Sequence, residues 1–170
     1  MTHEIINNII SDAKCKYKNF ESPDYSFVSP IFISHLDLYK ELLDNYSVCA
    51  DTDFNSLVCI RYVIEKNGNS WEVCASLVGR YAMVSRQIGN SNWVIVCDDA
   101  YTDSFDEEVL QIVKKHYFYS LDEPMLKIII PGFRFETDEG KIQNWAYVYQ
   151  VLFFYGNYEL LCDCGIEDVN

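Results

Sequence analysis

The sequence predicts one α+β domain: a mostly antiparallel sheet of about five or six strands with two or three helices packed on it. Three observations carry this expectation. Hydrophobic residues make up 49% of 170 residues and aromatics 15%, enough for a substantial core. Strand-like runs flank Asn67-Gly68, the strongest short hairpin signal, because both central residues of a type I′ turn need positive φ. Apolar stripes at helical spacing mark the N-terminus, the thirties and the stretch after Ser104. The length fits a single domain over residues 1–170, and 7 Gly with 4 Pro leave no low-complexity linker.

Taken in order, residues 3–14 place Ile5, Ile6, Ile9, Ile10 and Ala13 on one helical face. Residues 17–31 contain Pro23 and Pro30 and read as a loop or edge strand. Ser34 is placed to cap a helix through about Leu43, with Leu36, Leu38, Tyr39, Leu42 and Leu43 as its stripe and Asp37 in its first turn. A three-stranded meander follows. It comprises Ser56–Lys66, then Trp71–Arg86 with Gly79 as a possible bulge, then Trp93–Cys97 as a short central strand.

Ser104 with Glu107 matches a capping box, and Phe105, Val109, Ile112, Val113 and Tyr117 share a face, predicting a helix from about Phe105 to Tyr119. Pro124 ends the next loop, and Pro131-Gly132 stops a short apolar run from Leu126 to Ile130. A second hairpin is predicted from Phe133–Thr137 and Ile142–Tyr155. Its second arm reads as strand on β-branched and aromatic content, with a buried helix as the alternative. A closing segment Tyr158–Cys162 precedes an acidic tail, expected to fray from about residue 165.

The formal charge is −13, from 26 acids and 13 bases. Phosphate backbones bind through Lys and Arg, so the composition argues against nucleic acid and anionic membranes as partners and favours a cationic protein. The charge is segregated. Residues 1–97 hold 11 acids and 8 bases, whereas residues 98–170 hold 15 acids and 5 bases, a net of −10. Acidity that serves solubility alone need not segregate.

Seven cysteines, an odd number, with Cys59, Cys74 and Cys97 inside apolar runs, fit reduced thiols. The start MTHEIINNII has no signal-peptide pattern, and no apolar run reaches the ~20 residues that span a bilayer. The expected compartment is the cytoplasm.

Catalytic and cofactor motifs are sparse. No Gly-rich phosphate loop and no G-x-S-x-G elbow occur. Cys162 and Cys164 are two thiols where structural zinc takes four ligands, and the three histidines have no second ligand at metal-binding spacing. His116 near a helix end reads as a dipole partner before a catalyst. The acids of residues 98–108 lack the calcium-loop pattern. The expectation is therefore a protein without enzymatic activity, cofactor or metal.

Residues 98–108 carry six acids around two aromatics, the mixture that suits a steered contact with a basic partner. The candidate contacts are Asp98, Asp99, Tyr101, Asp103, Phe105, Asp106, Glu107 and Glu108, with Asp138 and Glu139 in the second hairpin turn. The alternative is structural: Phe105 enters the core, Tyr101 fills a loop and the acids favour a helix N-terminus.

A small acidic α+β chain with Trp71 and Trp93 in its meander, followed by an acid-rich loop and helix, resembles the immunity proteins of bacterial polymorphic-toxin and contact-dependent growth inhibition systems. The resemblance is of general style over the chain, and no family residue is carried over. It implies binding and neutralisation of a cognate toxin domain, often a basic nuclease, in toxin–antitoxin fashion. Two rival readings stay open: a phage or viral anti-defence protein that mimics DNA, and a small enzyme or ligand-binding domain whose site is assembled from distant residues.

Overall fold

The computed structural model describes residues 2–28, 35–53, 57–88, 92–98, 104–136 and 140–154. Within them the chain is α+β, with a six-stranded, mostly antiparallel sheet and a separate two-stranded hairpin.

Helix α1 (Thr2–Tyr17) extends beyond the expected 3–14, with Lys14 and Lys16 in its last turn, where the helix dipole favours cations. Ile9, Ala13 and Tyr17, four residues apart, are fully buried, and Lys18 at φ +61° ends the helix. The Tyr17 hydroxyl donates to the Val151 carbonyl at 2.6 Å. Residues 18–28 contain no strand, and they fold back so that Tyr25 and Phe27 meet the Tyr17 ring edge-on.

Helix α2 (Leu36–Asn45) buries Leu38 and Leu42, but Leu36 and Leu43 from the expected stripe are exposed. Ser34 lies outside the described residues, and the residue preceding the helix is His35.

The main sheet runs β1 (Ser47–Ala50), β2 (Cys59–Lys66), β3 (Asn69–Ser76), β4 (Tyr81–Ile88) and β5 (Asn92–Ile95) in spatial order, each antiparallel to the next. Asn67 (φ +52°) and Gly68 (φ +79°) form the β2–β3 turn, as their sequence requires. Two expectations are corrected here. Trp71–Arg86 is not one strand: it breaks at residues 77–80 into β3 and β4, so Gly79 lies in a connection and not in a bulge. The Trp93–Cys97 run is not central: β5 covers Asn92–Ile95 and pairs only with β4, while β3 takes the middle of the sheet.

Strand alternation sends residues to two different layers. Tyr62, Ile64, Trp71, Val73, Ala75, Ala82 and Val84 pack with α2 and with α3 (Ser104–Lys115). Cys59, Cys74, Tyr81 and Met83 face the other way, toward α1 and the C-terminal elements. Helix α3 stops at Lys115, short of the expected Tyr119, because Tyr117 adopts φ +63°; that side chain is 87% exposed and does not join the apolar face. Strand β6 (Tyr119–Ser120) then pairs in parallel with the start of β4.

Pro124 opens a helix where the sequence suggested the end of a loop. Asp122 accepts the Met125 N–H at 2.8 Å and caps α4 (Glu123–Leu126). Pro131-Gly132 does not stop the following strand either. Strand β7 (Ile129–Glu136) runs through it, with Gly132 at φ +78° and a register shift between Pro131 and Phe135. Strand β8 (Ile142–Tyr147) pairs with β7, and α5 (Val148–Leu152) follows at once. The run 142–155 is therefore strand in its first half and helix in most of its second. The segments from Tyr155 onward lie outside the described residues.

A Cβ at Gly79 would sit 2.5 Å from Tyr81 Cε2 and 2.9 Å from Asp12 Oδ2, the carboxylate oxygen that accepts the Tyr81 hydroxyl at 2.6 Å. Gly79→Ala must push that pair apart, an overpacking cost of about 1–3 kcal/mol. Gly68→Ala meets open space and costs only its positive φ, about 1 kcal/mol. Urea midpoints at unchanged m should rank wild type, Gly68→Ala and Gly79→Ala in falling order.

Candidate partner-binding site

The acidic segment singled out by the sequence leads into α3, and the fold sorts its residues into two groups. Helix α3 lies on the sheet, so its first turn points partly inward. Phe105 is buried, with its ring 4.3 Å from Trp71 and 4.9 Å from Tyr46 and the Lys66 ammonium 4.0 Å over its face. Asp106 is fully buried. Its Oδ1 accepts the Trp71 indole N–H at 2.8 Å, and its Oδ2 lies 3.1 Å from the Arg86 guanidinium. Neither side chain offers itself to a partner, which corrects the expectation for both. The physical reason is their place on the inward stripe with Val109, Leu110 and Val113. A buried carboxylate is tolerated there because both oxygens are engaged and the helix N-terminus favours negative charge.

The other described acids of the segment stay on the surface. Glu107 is exposed. Glu108 is about half exposed, 3.5 Å from Lys66 and within 3.3 Å of the Tyr46 hydroxyl, whose pKa is pushed up to about 12 by burial first and by the Glu108 charge next. Asp98 is exposed and pairs with Lys114. Lys114 is in the last turn of α3, so Asp98 and Glu107 mark opposite ends of a helix that rises about 1.5 Å per residue. Asp99, Tyr101, Asp103, Asp138 and Glu139 lie outside the described residues.

The charge asymmetry divides the same way. Between residues 98 and 154 the described residues hold 7 acids and 5 bases. Asp106 is buried, and Asp98, Glu108 and Glu123 meet Lys114, Lys66 and Lys127. Of the net −10 of the second half, −8 rests on Asp99, Asp103, Asp138, Glu139, Glu159, Asp163, Glu167 and Asp168, all outside the described residues.

Three further polar networks, for which the local sequence pattern names no partners, tie the elements together. On the face of β3 opposite Trp71, Glu72 is buried and pairs with Arg61, which also reaches Asp51 at 3.0 Å. Ser85 lies directly across from Glu72 on β4. Asp12 of α1 accepts the Tyr81 hydroxyl, joining that helix to β4. Between α2 and α3, Glu41 takes Lys115 at 2.8 Å and His116 at 2.9 Å, so His116 has a carboxylate partner. These hydrogen bonds, Lys115 first, hold the Glu41 carboxyl below its ordinary value of 4.5. The available signal was a charged residue inside an apolar strand, as at Glu72 and Arg86; the identity of each partner was not in the local pattern.

Cys59 and Cys74 are buried side by side on that same face, and burial pushes the Cys59 thiol up, with the neighbouring Cys74 adding to the effect. Among the described residues no group of three or more His, Cys, Asp or Glu is placed to hold a metal ion, and no helix is long and apolar enough to cross a membrane.

Two predictions separate support from surface. Asp106→Ala removes the acceptor of the Trp71 indole and the buried carboxylate beside Arg86 and should cost about 3–5 kcal/mol, whereas Glu107→Ala should stay within about 0.5 kcal/mol, as read from denaturant midpoints. Glu41 contributes stability that is full above its ordinary pKa and is lost as pH falls through its lowered value. Glu41→Gln should therefore remove part of the acid-side fall in stability below about pH 4.5, as read from urea midpoints across that range. No protein-family model, curated protein or solved structure matches the chain.

Proposed function

We propose that this protein is an acidic inhibitory binding protein that captures a basic protein partner, acting as an immunity protein toward a toxin domain such as a nuclease. One observation carries the reading: a net charge of −13, with −10 of it placed after Cys97. Such a field raises the encounter rate with a cationic surface, and it opposes nucleic acid and anionic lipid. Carboxylates over a basic active site occupy the positions that substrate phosphates would take.

The contact residues in this reading are the surface acids Asp98, Glu107 and Glu108, with Asp99, Tyr101, Asp103, Asp138 and Glu139. Phe105 and Asp106 are buried and fasten the start of α3 to the sheet. The relevant charge reversal therefore leaves Asp106 untouched.

The test is co-expression with the protein encoded beside this chain in its own genome, followed by association kinetics on the purified pair. The chain should restore growth. Asp99→Lys, Asp103→Lys and Glu107→Lys together should slow association about tenfold at low salt and flatten its salt dependence. Full protection with unchanged association by the triple variant would remove the acidic segment from the interface. Failure to protect against either neighbouring gene product would contradict the immunity reading.

A further inference from the structure

Helix α3 ends on a side chain that its own fold does not use. The Tyr117 N–H donates to the Lys114 carbonyl at 2.8 Å, and the Phe118 N–H donates to the Val113 carbonyl at 3.2 Å. This pair of bonds closes a helix through one left-handed residue, and Tyr117 supplies it at φ +63°. Glycine suits that position, because any Cβ crowds the following carbonyl oxygen. Burial gives nothing in return: Tyr117 is 87% exposed, whereas Phe118 beside it is buried in the layer of α2 and α3. The backbone at residue 117 serves the fold, and the ring stands in water. A strained residue with an idle aromatic side chain points to a role outside the chain.

The surroundings of the ring specify that role. Tyr119, on the other side of buried Phe118, is also at the surface, 36% exposed. Its pKa is raised by burial first, then by the charges of Asp122 and Asp98, so negative charge prevails at its hydroxyl. The cations of this helix end are already matched. Lys114 pairs with Asp98, and Lys115 and His116 both meet Glu41. Arg80, also exposed, lies 5.0 Å over the Phe118 ring. Asp122 gives one oxygen to the Met125 N–H, and Asp98 remains 65% exposed beside Lys114. Two surface tyrosines and two carboxylates therefore gather where α3 ends, and Asp98 already belongs to the proposed contact residues.

From this geometry we propose that Tyr117 and Tyr119 are the aromatic anchor of the partner interface, taking an arginine side chain of the basic partner. The guanidinium stacks on the rings, and Asp98 and Asp122 balance its charge. Aromatic area rimmed by matched charges is the arrangement of an interface hot spot. Charge selects this occupant over a second copy of the chain, since two molecules at −13 each repel. The inference rests on the acidic-binder reading and adds to it the residues that retain a partner the acids steer.

The experiment is an NMR titration of the full chain with a capped Arg-Gly-Arg-Gly-Arg peptide, its Glu-Gly counterpart as control, and urea denaturation of each variant. The arginine peptide should shift the ring resonances of Tyr117 and Tyr119 saturably, and the glutamate peptide should not. Tyr117→Gly removes the ring and relieves the backbone. It should weaken arginine-peptide binding about tenfold and raise the urea midpoint. Tyr117→Phe keeps the aromatic face and should hold affinity within about twofold of wild type. A lower urea midpoint for Tyr117→Gly would show that the ring serves the fold and would overturn the anchor. Arginine-peptide binding that shifts Glu107 but neither ring would overturn the anchor and leave the acidic-binder reading standing. Equal ring shifts with both peptides would overturn the charge selection, and absence of arginine-peptide binding would overturn the proposal.

Discussion

Strand β3 is buried on both faces, and the rest of the fold follows from that constraint. Trp71 through Ser76 are all buried, without the exposed alternate positions of a half-solvated strand. Such a strand needs neighbours on both edges, supplied by β2 and β4, and a layer over each face. Helices α2 and α3 cover the face of Trp71, Val73 and Ala75. Helix α1, the β7–β8 hairpin and the two short helices build the layer that meets Cys74. The result is a sheet between two dissimilar layers, one helical and one mixed.

Charge inside this arrangement fixes its register. Adjacent residues of β3 send polar groups to opposite layers: Trp71 donates to Asp106 on α3, and Glu72 pairs with Arg61 on β2. A slip of one residue would turn Glu72 toward Phe105 and bring Trp71 to the Arg61 side, leaving buried charges without partners. Asp106 is thus a structural residue in the middle of an acidic sequence. Its neighbours Glu107 and Glu108 keep their carboxylates on the surface. The inward stripe of one helix divides the segment between supporting the fold and presenting charge.

Much of this was legible from local pattern. The Asn67-Gly68 turn, the apolar stripes of α1 and α3 and the strand character of β2 are local properties, and they emerge where expected. What the pattern concealed depends on context. Leu77 to Arg80 contains a single glycine, so β3 and β4 read as one continuous run although the chain reverses there. Pro131 is tolerated in β7 at an irregular register, and Val148 to Leu152 reads as strand on its β-branched and aromatic content although it is helical, because a buried helix shows no polar face. At the site, density of acids suggested a binding face, but only the placement of α3 on the sheet shows that Phe105 and Asp106 turn inward and that Asp98 sits at the far end of the helix.

The most direct test of the two-sided core is native-state hydrogen exchange measured against denaturant. Backbone amides of Val73, Ala75 and Val84 should exchange only through global unfolding, with an opening free energy equal to that from urea denaturation. Exchange of the β3 amides through a local opening well below the global value, while the β7–β8 hairpin remained the slowest region, would contradict β3 as the centre on which both layers depend.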